Sequence, residues 1–388
     1  MSDARRTIYL FLVLALLALG SVPDGMVYPG LHALTSERYG ITISRASWFT
    51  LVPTIGAIVS AFFLPKLVRS RSPMTVLRVA SVLEAFLLAA VALPIPFWAV
   101  IVLRLVSGAC DLAGIAATLR IATRVAGQEH RARSLGWMGT AIMSGLLGGI
   151  ALGMFVPTDM VILVAAEVLA LLAAGTILIE SVVPSVHDPD PPREVSDSAP
   201  APRRQRIVAS LLVAADRGLS AVLSIVVPLA MPEMIAGEKS GQTRLVGTIL
   251  GLSMLGMVFG GPLVGGIVDR VGAARVRLVG AMVFGFGVMA IVFVAPLGPT
   301  AMIVAASVAG IGAAPLFASA LSIGTHDRTS TGVYGAIQAA GQAGYALGSA
   351  CLLFTDPKWL GAPETLAAGA ILYIAINLAA SWVLWRRR

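Results

Sequence analysis

The first long apolar run of the chain reads TIYLFLVLALLALGSVPDGMVYPGLHAL, from Thr7 to Leu34. About 20 apolar residues in a helix cross the hydrocarbon core of a bilayer, so this run predicts a membrane span. Its one acidic residue, Asp24, lies shortly before Pro29 and Gly30, which loosen a helix where backbone lines a cavity or packs on neighbours. Because a carboxylate at such a depth costs about 2.5–3.5 kcal/mol on insertion scales, Asp24 is a candidate functional residue.

The composition of the whole chain indicates a membrane protein. Of its 388 residues, 57% are hydrophobic and 12% are charged, whereas soluble domains are about 25% charged. Twelve apolar runs lie near 7–34, 46–68, 75–94, 97–124, 135–156, 160–183, 207–235, 245–268, 274–295, 299–324, 331–354 and 364–385. We therefore expect an all-α polytopic protein with 12 transmembrane helices and the lipid bilayer as its surroundings. The net charge of +8 comes from basic residues in short loops, without a basic face, which argues against a nucleic-acid partner.

The chain divides into two related halves. Residues 184–206 are rich in proline and charge and are expected to form a disordered cytoplasmic linker between six-helix bundles at 1–183 and 207–388. GWMGTAIMSGLLG, which begins at Gly136, matches GVYGAIQAAGQAG, which begins at Gly332, with four glycines at an offset of 196. Two pseudo-symmetric bundles are typical of transporters with a central site between them.

The distribution of basic residues predicts the orientation. Of the 28 lysines and arginines, 21 fall in segments on the side of the termini, counted with the span ends that adjoin them, 5 fall on the opposite side, and Arg104 and Arg217 lie deeper within spans. The positive-inside rule then places both termini in the cytoplasm, in a cell (inner) membrane.

A charged loop between the eighth and ninth spans reads GGIVDRVGAAR, Gly265 to Arg275. Its glycines allow a tight turn, and its charges form a cluster that can hold two helices in one conformation and release them in another. The pattern G-x-x-x-D-R-x-G resembles the loop signature of the major facilitator superfamily, and the twelve-span plan agrees with that family over nearly the whole chain. The resemblance implies a gating loop made of Gly265, Asp269, Arg270, Gly272 and Arg275. A loop that only anchors topology is the alternative, and the equivalent stretch PKLVRSRSP (65–73) lacks the acid and the glycine.

The fourth span carries RLVSGACDLAG, Arg104 to Gly114. R-x-x-x-G resembles the arginine motif that the same family's antiporters use in proton coupling. Arg104 and Asp111 are seven residues apart and share a helix face within about 20°. Counted at 1.5 Å per residue, Asp24 and Arg104 lie at depths that differ by about 4 Å, so the two could pair. A pair that only neutralises two buried charges is the alternative.

Two further stretches resemble antiporter motifs of the family. SGLLGGIALG (144–153) resembles the glycine-rich motif of the fifth helix, with Gly145, Gly148 and Gly149, although the usual Gly-Pro is absent. These glycines are equally suited to plain helix packing. In the first span, D-G-M-V-Y-P-G resembles the first-helix signature of twelve-span drug:proton antiporters, which favours efflux over uptake.

Other polar residues in spans are candidates for the substrate cavity. Asp216 and Arg217 are neighbours on the seventh span and point about 100° apart, so one of them is expected to face the cavity. Tyr334, Gln338, Gln342 and Tyr345 share one face of the eleventh span, which lines the substrate path or holds helices together. Glu84, on the third span, is expected to be structural, because that helix is peripheral in the family.

These patterns predict a transporter. The sequence has neither a GxxxxGK[ST] nucleotide loop nor His and Cys residues at metal-ligand spacing, so we expect no enzyme activity, no cofactor and no metal. The prediction is a monomeric secondary transporter that exports a small amphiphilic or cationic compound in exchange for protons, by alternating access. Asp24 would exchange a proton for the substrate, Arg104 would influence the pKa of Asp24, and Asp111 would be a second acid or relay. An uptake symporter or facilitator for a sugar, organic acid or amino acid is the alternative, and a receptor or assembly protein that moves nothing is a second.

Overall fold

The computed structural model describes residues 3–69, 71–126, 131–182, 203–234, 239–324, 331–350 and 362–385. Helices dominate these ranges, which contain no β-strand. The α-helices are α1 (Asp3–Val27), α2 (Ile43–Ala46), α3 (Trp48–Arg69), α4 (Pro73–Ala92), α5 (Phe97–Ala126), α6 (Arg131–Phe155), α7 (Val161–Val182), α8 (Arg203–Met234), α9 (Lys239–Val271), α10 (Ala273–Phe293), α11 (Pro299–Ala313), α12 (Leu316–Gly324), α13 (Thr331–Ala350) and α14 (Ala362–Trp385). A π-helical turn, Ala33–Glu37, follows α1, and a 3₁₀ turn, Ala295–Leu297, follows α10.

Ten helical segments in the described ranges are long and apolar enough to cross a membrane. They are Ile8–Val27, Ile43–Phe63, Pro73–Ala92, Phe97–Thr118, Trp137–Phe155, Val161–Glu180, Arg203–Leu229, Ala273–Phe293, Pro299–Gly324 and Glu364–Trp385. Helices α9 and α13 cover the two remaining predicted runs, 245–268 and much of 331–354. The all-helical membrane fold is thus confirmed, and the count of twelve stays a prediction.

Proline shapes two of the predicted spans. The run from Thr7 to Leu34 is not one helix, because α1 ends at Val27, two residues before Pro29. The run 299–324 is divided into α11 and α12 at Ala314 and Pro315. The second interruption arises because proline has no N–H to donate to the carbonyl four residues earlier, here that of Ile311.

The helices on either side of the 183–202 gap pack mainly among themselves. In the N-terminal half, α1–α7, helix α1 packs on α5, α6 and α7, and α4 packs on α5 and α7. In the C-terminal half, α8–α14, helix α8 packs on α12, α13 and α14, and α10 packs on α11 and α14. Between the halves, α6 contacts α9 and α3 contacts α13. The two six-helix bundles remain a prediction that this pattern agrees with.

The predicted linker, 184–206, lies outside the described residues up to position 202. Its last four residues are not linker, because α8 begins at Arg203. At 32 residues, α8 is about 48 Å long at 1.5 Å per residue, longer than the hydrocarbon core of about 30 Å. Its basic first turn can therefore lie beyond the apolar layer.

Glycines set the distance between α1 and α6. A Cβ atom on Gly145 would lie 1.9 Å from the carbonyl oxygen of Ala18, and one on Gly149 would lie 2.1 Å from that of Val22. Both glycines therefore allow direct backbone contact between the two helices. Gly148 differs, since a Cβ there meets nothing within 4 Å.

An arginine near the start of the third span in each half makes polar contacts with another helix. Arg78 on α4 donates from Nε to Thr176 Oγ1 at 3.1 Å and forms an ion pair with Glu180, both on α7. Arg277 on α10 donates to Asn377 Oδ1 on α14 at 3.3 Å. Both arginines lie inside their helices, within the predicted runs 75–94 and 274–295. Their matching positions extend the internal repeat.

Candidate functional site

The three predicted proton-coupling residues lie together. Asp24 on α1 is close enough to Arg104 on α5 for their charges to interact. Asp111, two turns further along α5, interacts with both of them and with Arg217 on α8. One group of charges therefore joins α1 and α5 of the N-terminal half to α8 of the C-terminal half.

Arg104 is held by α3. Its side chain is buried, with 7% of the residue exposed. Nε donates to the carbonyl oxygen of Phe49 at 3.5 Å, and the guanidinium carbon lies 4.8 Å from the centre of the Phe49 ring. A cation over an aromatic face is attracted by the ring quadrupole, so Phe49 fixes the guanidinium from two directions.

Asp24 does not pair directly with Arg104. Within the part of the chain that the structure describes, no hydrogen bond or ion pair joins the two side chains. The expected proximity is present, but the arginine acts on Asp24 across a gap. The carboxylate of Asp24 can therefore accept a proton or a cation without first breaking an ion pair with Arg104.

A tyrosine pair connects the two halves beside these charges. The hydroxyls of Tyr28, one turn after Asp24, and Tyr345 on α13 lie 2.6 Å apart in a hydrogen bond. Arg217 is close enough to both tyrosines for electrostatic interaction. The polar face of the eleventh span predicts Tyr345, whereas no sequence pattern described above predicts Tyr28. Tyr28 lies just beyond the end of α1 and follows Asp24 by four residues, about one helical turn, so this spacing is the sequence signal for Tyr28.

Arg217 is the cation of the C-terminal half in this group. Within the described ranges, its guanidinium has no hydrogen bond or ion pair. Its aliphatic stem lies against Gly341 of α13, where a Cβ would be 3.4 Å from Arg217 Cγ. Arg217 is therefore held in place by packing, with its charged end still able to take a partner.

Asp216, unlike its neighbour Arg217, takes part in a polar network inside the C-terminal half. Its Oδ1 accepts from Arg277 at 2.7 Å and from the hydroxyl of Tyr373 at 3.0 Å. Arg277, only 2% exposed, also donates to the carbonyl oxygens of Leu316 at 2.7 Å and Leu212 at 3.2 Å. This network ties α8 to α10, α12 and α14 inside the C-terminal half. The sequence allows Asp216 in the substrate cavity as one of two options, and its contacts place it in this network, because a buried arginine needs a fixed counter-charge.

Glu84 on α4 joins the acidic residues of the site. Its Oε1 accepts from Ser107 Oγ at 3.2 Å, and its charge interacts with those of Asp111, Asp24 and Arg104. The sequence predicts only a structural role for Glu84, on a peripheral helix. Because α4 packs along α5, the carboxyl of Glu84 reaches the same interior as Asp111.

The remaining predicted residues are described in part. Gly272 alone separates α9 from α10 and has φ 97°, a conformation that L side chains rarely adopt, so a tight turn requires glycine there. Arg270 and Arg275 beside it are exposed. Gln342 is half-buried on α13. The side chains of Asp269, Tyr334 and Gln338, together with Gly265, lie outside what the structure describes.

Comparison with known proteins identifies the class of the molecule. The family model of the Major Facilitator Superfamily matches residues 9–350, and the chain belongs to that family. No curated protein matches the sequence. Among solved structures, the human organic anion transporter MFSD10 (TETRAN) is 15% identical with a TM-score of 0.65, over 98% of this chain and 100% of that one. The nucleoside transporter NupG is 13% identical with a TM-score of 0.68, over 97% and 99%.

At these identities the two structures show a shared fold. Members of the family are transporters and not enzymes, so the protein is a multi-pass secondary transporter for a small-molecule substrate.

Proposed function

We propose that the protein is a proton-coupled antiporter that exports a small amphiphilic or cationic compound. The observation that carries this proposal is Asp24, a carboxylate inside a membrane span that faces Arg104 without pairing with it among the described residues. An uncompensated charge in such surroundings is costly, so either a proton or a cation stabilises Asp24. Because the two compete for one carboxylate, binding of the cargo releases the proton.

Alternating access would come from movement of one half against the other. The Tyr28–Tyr345 hydrogen bond spans the halves beside Asp24, so it can respond to the charge state of the site. Asp269 and Arg270, beside the one-residue turn at Gly272, would close the cytoplasmic side in the outward-open state. We place the monomer in the inner membrane with both termini in the cytoplasm, since basic residues concentrate on that side.

The test uses Asp24→Asn and, as a matched control, Glu167→Gln, which removes an exposed acid from α7. Inverted vesicles with an acid lumen receive ethidium, a lipophilic cation, and the luminal pH is recorded. Wild type and the control should make the lumen more alkaline as ethidium enters. Asp24→Asn should be present in the membrane in the same amount and give no pH response. Proton-driven ethidium transport by Asp24→Asn at the wild-type rate would refute the role of Asp24.

One observation favours a second candidate, proton-linked uptake of an organic acid. Arg217 has no partner within the described ranges and is close enough to Tyr28 and Tyr345 for electrostatic interaction, and such a cation suits a carboxylate of the substrate. The structural similarity to an organic anion transporter agrees with this alternative. A symporter would acidify the lumen of inverted vesicles when its substrate is added outside, whereas the antiporter makes it alkaline. The sign of the pH change therefore separates the two candidates.

A further inference from the structure

A small cavity lies inside the N-terminal half, among α1, α4, α5 and α7. Its volume is about 20 Å³, and a space of about 10–15 Å³ is enough for one water molecule. The cavity therefore fits a water and not a transported compound. All its lining residues belong to the N-terminal half, so the walls of the cavity come from one half. Its polar lining consists of Ser21, Ser81, Glu84, Cys110, Asp111 and Thr118.

The three hydroxyl groups of the lining already donate hydrogen bonds to backbone carbonyls of their own helices. Ser21 donates to the carbonyl oxygen of Leu17 at 3.1 Å, Ser81 donates to that of Leu77 at 2.8 Å, and Thr118 donates to that of Gly114 at 2.8 Å. A hydroxyl that donates to its own helix has only lone pairs left for the cavity. With the carboxyl groups of Glu84 and Asp111 added, the lining offers mainly acceptors, beside the weak donor of the Cys110 thiol, and suits a ligand that brings hydrogens or positive charge.

Two lining groups have no partner of their own among the described residues. Cys110 is 8% exposed, and no hydrogen bond to its thiol is found in the part of the chain that the structure describes. Asp111 likewise has charge interactions but no hydrogen bond within the described ranges. Buried polar groups of this kind are usually satisfied by an ordered water, which makes about three hydrogen bonds.

Polar residues continue from the cavity in both directions. Towards one end, Glu84 and Asp111 each interact electrostatically with Asp24. Towards the other end, Arg78 lies six residues before Glu84 on α4, about 9 Å away along the helix, and is paired with Glu180. This end of α4 is the cytoplasmic one in the predicted orientation.

We propose that Glu84, Asp111 and one water in this cavity form a second proton-binding site, which connects Asp24 to the cytoplasmic end through the interior of the N-terminal half. The inference rests on the proposed proton coupling at Asp24. In each transfer, the protonated carboxyl gives its proton to the water while the water gives one of its own to the other carboxylate. One proton moves, and no electron is transferred.

Besides Glu84 on α4, three further helices supply charged groups around the site. Asp24 faces it from α1, Arg104 and Asp111 belong to α5, and Arg217 of α8 interacts with Asp111. Helix α7 contributes only aliphatic side chains, Leu169 and Leu172, to the lining. Because the site shares charges with Asp24, protonation of one should influence the other.

Infrared difference spectra of the purified protein between pH 5 and pH 9 use the proton itself as the probe. Glu84→Gln and Asp111→Asn should each remove one titrating carboxyl band and shift the band of the remaining partner. Their double variant should therefore depart from the sum of the single changes, because interacting sites titrate as a pair. Additive spectra, with neither band affected by the other substitution, would overturn the shared site. A response to 100 mM NaCl at constant pH would overturn it too, in favour of a sodium site.

Transport measurements separate this inference from the proposed function. Glu84→Gln should slow proton-driven ethidium transport at least tenfold while ethidium exchange without a proton gradient continues. Glu84→Asp, which keeps the carboxyl, should recover part of the rate and shows that the position tolerates change. If Glu84→Gln transports at the wild-type rate and Asp24→Asn does not, the inference fails and the antiporter proposal stands. If both variants transport normally, both proposals fail.

Discussion

The contact between α1 and α6 allows a test with two glycines that lie three residues apart on one helix. Gly145→Ala places a methyl group 1.9 Å from the carbonyl oxygen of Ala18, whereas real Cβ contacts under 3.0 Å essentially do not occur. The two helices must separate locally by about 1 Å, and a gap of that size costs about a quarter to a half of each dispersion contact across it. Gly148→Ala meets no atom within 4 Å.

The expected effects have opposite signs. Overpacking costs typically about 1–3 kcal/mol, and alanine regains about 0.5–1 kcal/mol because it is the better helix former. Gly145→Ala should therefore lower the free energy of unfolding by about 1–2 kcal/mol. Gly148→Ala, with only the propensity gain, should raise it by up to about 1 kcal/mol.

The measurement is unfolding in mixed micelles by increasing SDS, followed by the fluorescence of the 6 tryptophans. Gly148→Ala is the matched control, since both substitutions add the same methyl group to the same helix. Equal unfolding free energies for the two variants would refute the argument that backbone contact at Gly145 requires glycine. A larger loss for Gly148→Ala would refute the packing geometry itself.

Two further predictions concern polar contacts. Asp216→Asn or Arg277→Met alone should destabilise the protein by about 3–5 kcal/mol, because each leaves a buried charge without its partner. In SDS unfolding, the double variant should lose less stability than the sum of the two single losses. A purely additive loss would contradict the coupling between the two side chains. Tyr28→Phe and Tyr345→Phe should shift the equilibrium between conformations by the same amount, about 0.5–1.5 kcal/mol, with no further shift in the double variant. Spin-label distances between the halves measure that shift, and unequal single effects would show that the hydrogen bond is not its cause.

Much of the helical layout follows from the sequence, because a membrane span must be about 20 residues long and predominantly apolar. Ten such segments lie where apolar runs predict them. The ends of the helices are less predictable than their existence. Helix α1 ends at Val27 ahead of a proline, another proline divides α11 from α12, and the basic residues from Arg203 extend α8 into the predicted linker.

Residues of the candidate site can be predicted when the sequence of a single helix is enough to single them out. Asp24 and Arg104 stand out because each is a charged residue within an apolar run, and their similar depths allow them to lie close together. The role of Glu84 cannot be predicted in this way, because it depends on how α4 packs on α5. Asp216 and Arg217 cannot be told apart, since adjacent residues on a helix face different neighbours and only the positions of those neighbours decide which faces the site.

The sequence by itself determined that this chain is a polytopic helical transporter, with an internal repeat and a few charges buried in its spans. The length of an apolar run and the cost of a charge within it depend on one segment of the chain, so both can be judged from the sequence of that segment. The tertiary structure decided which polar groups meet: Asp216 with Arg277, Tyr28 with Tyr345, and Glu84 with Asp111 around a water-sized cavity. It also distinguished Gly145 from Gly148, because backbone contact depends on the rotation of one helix against another.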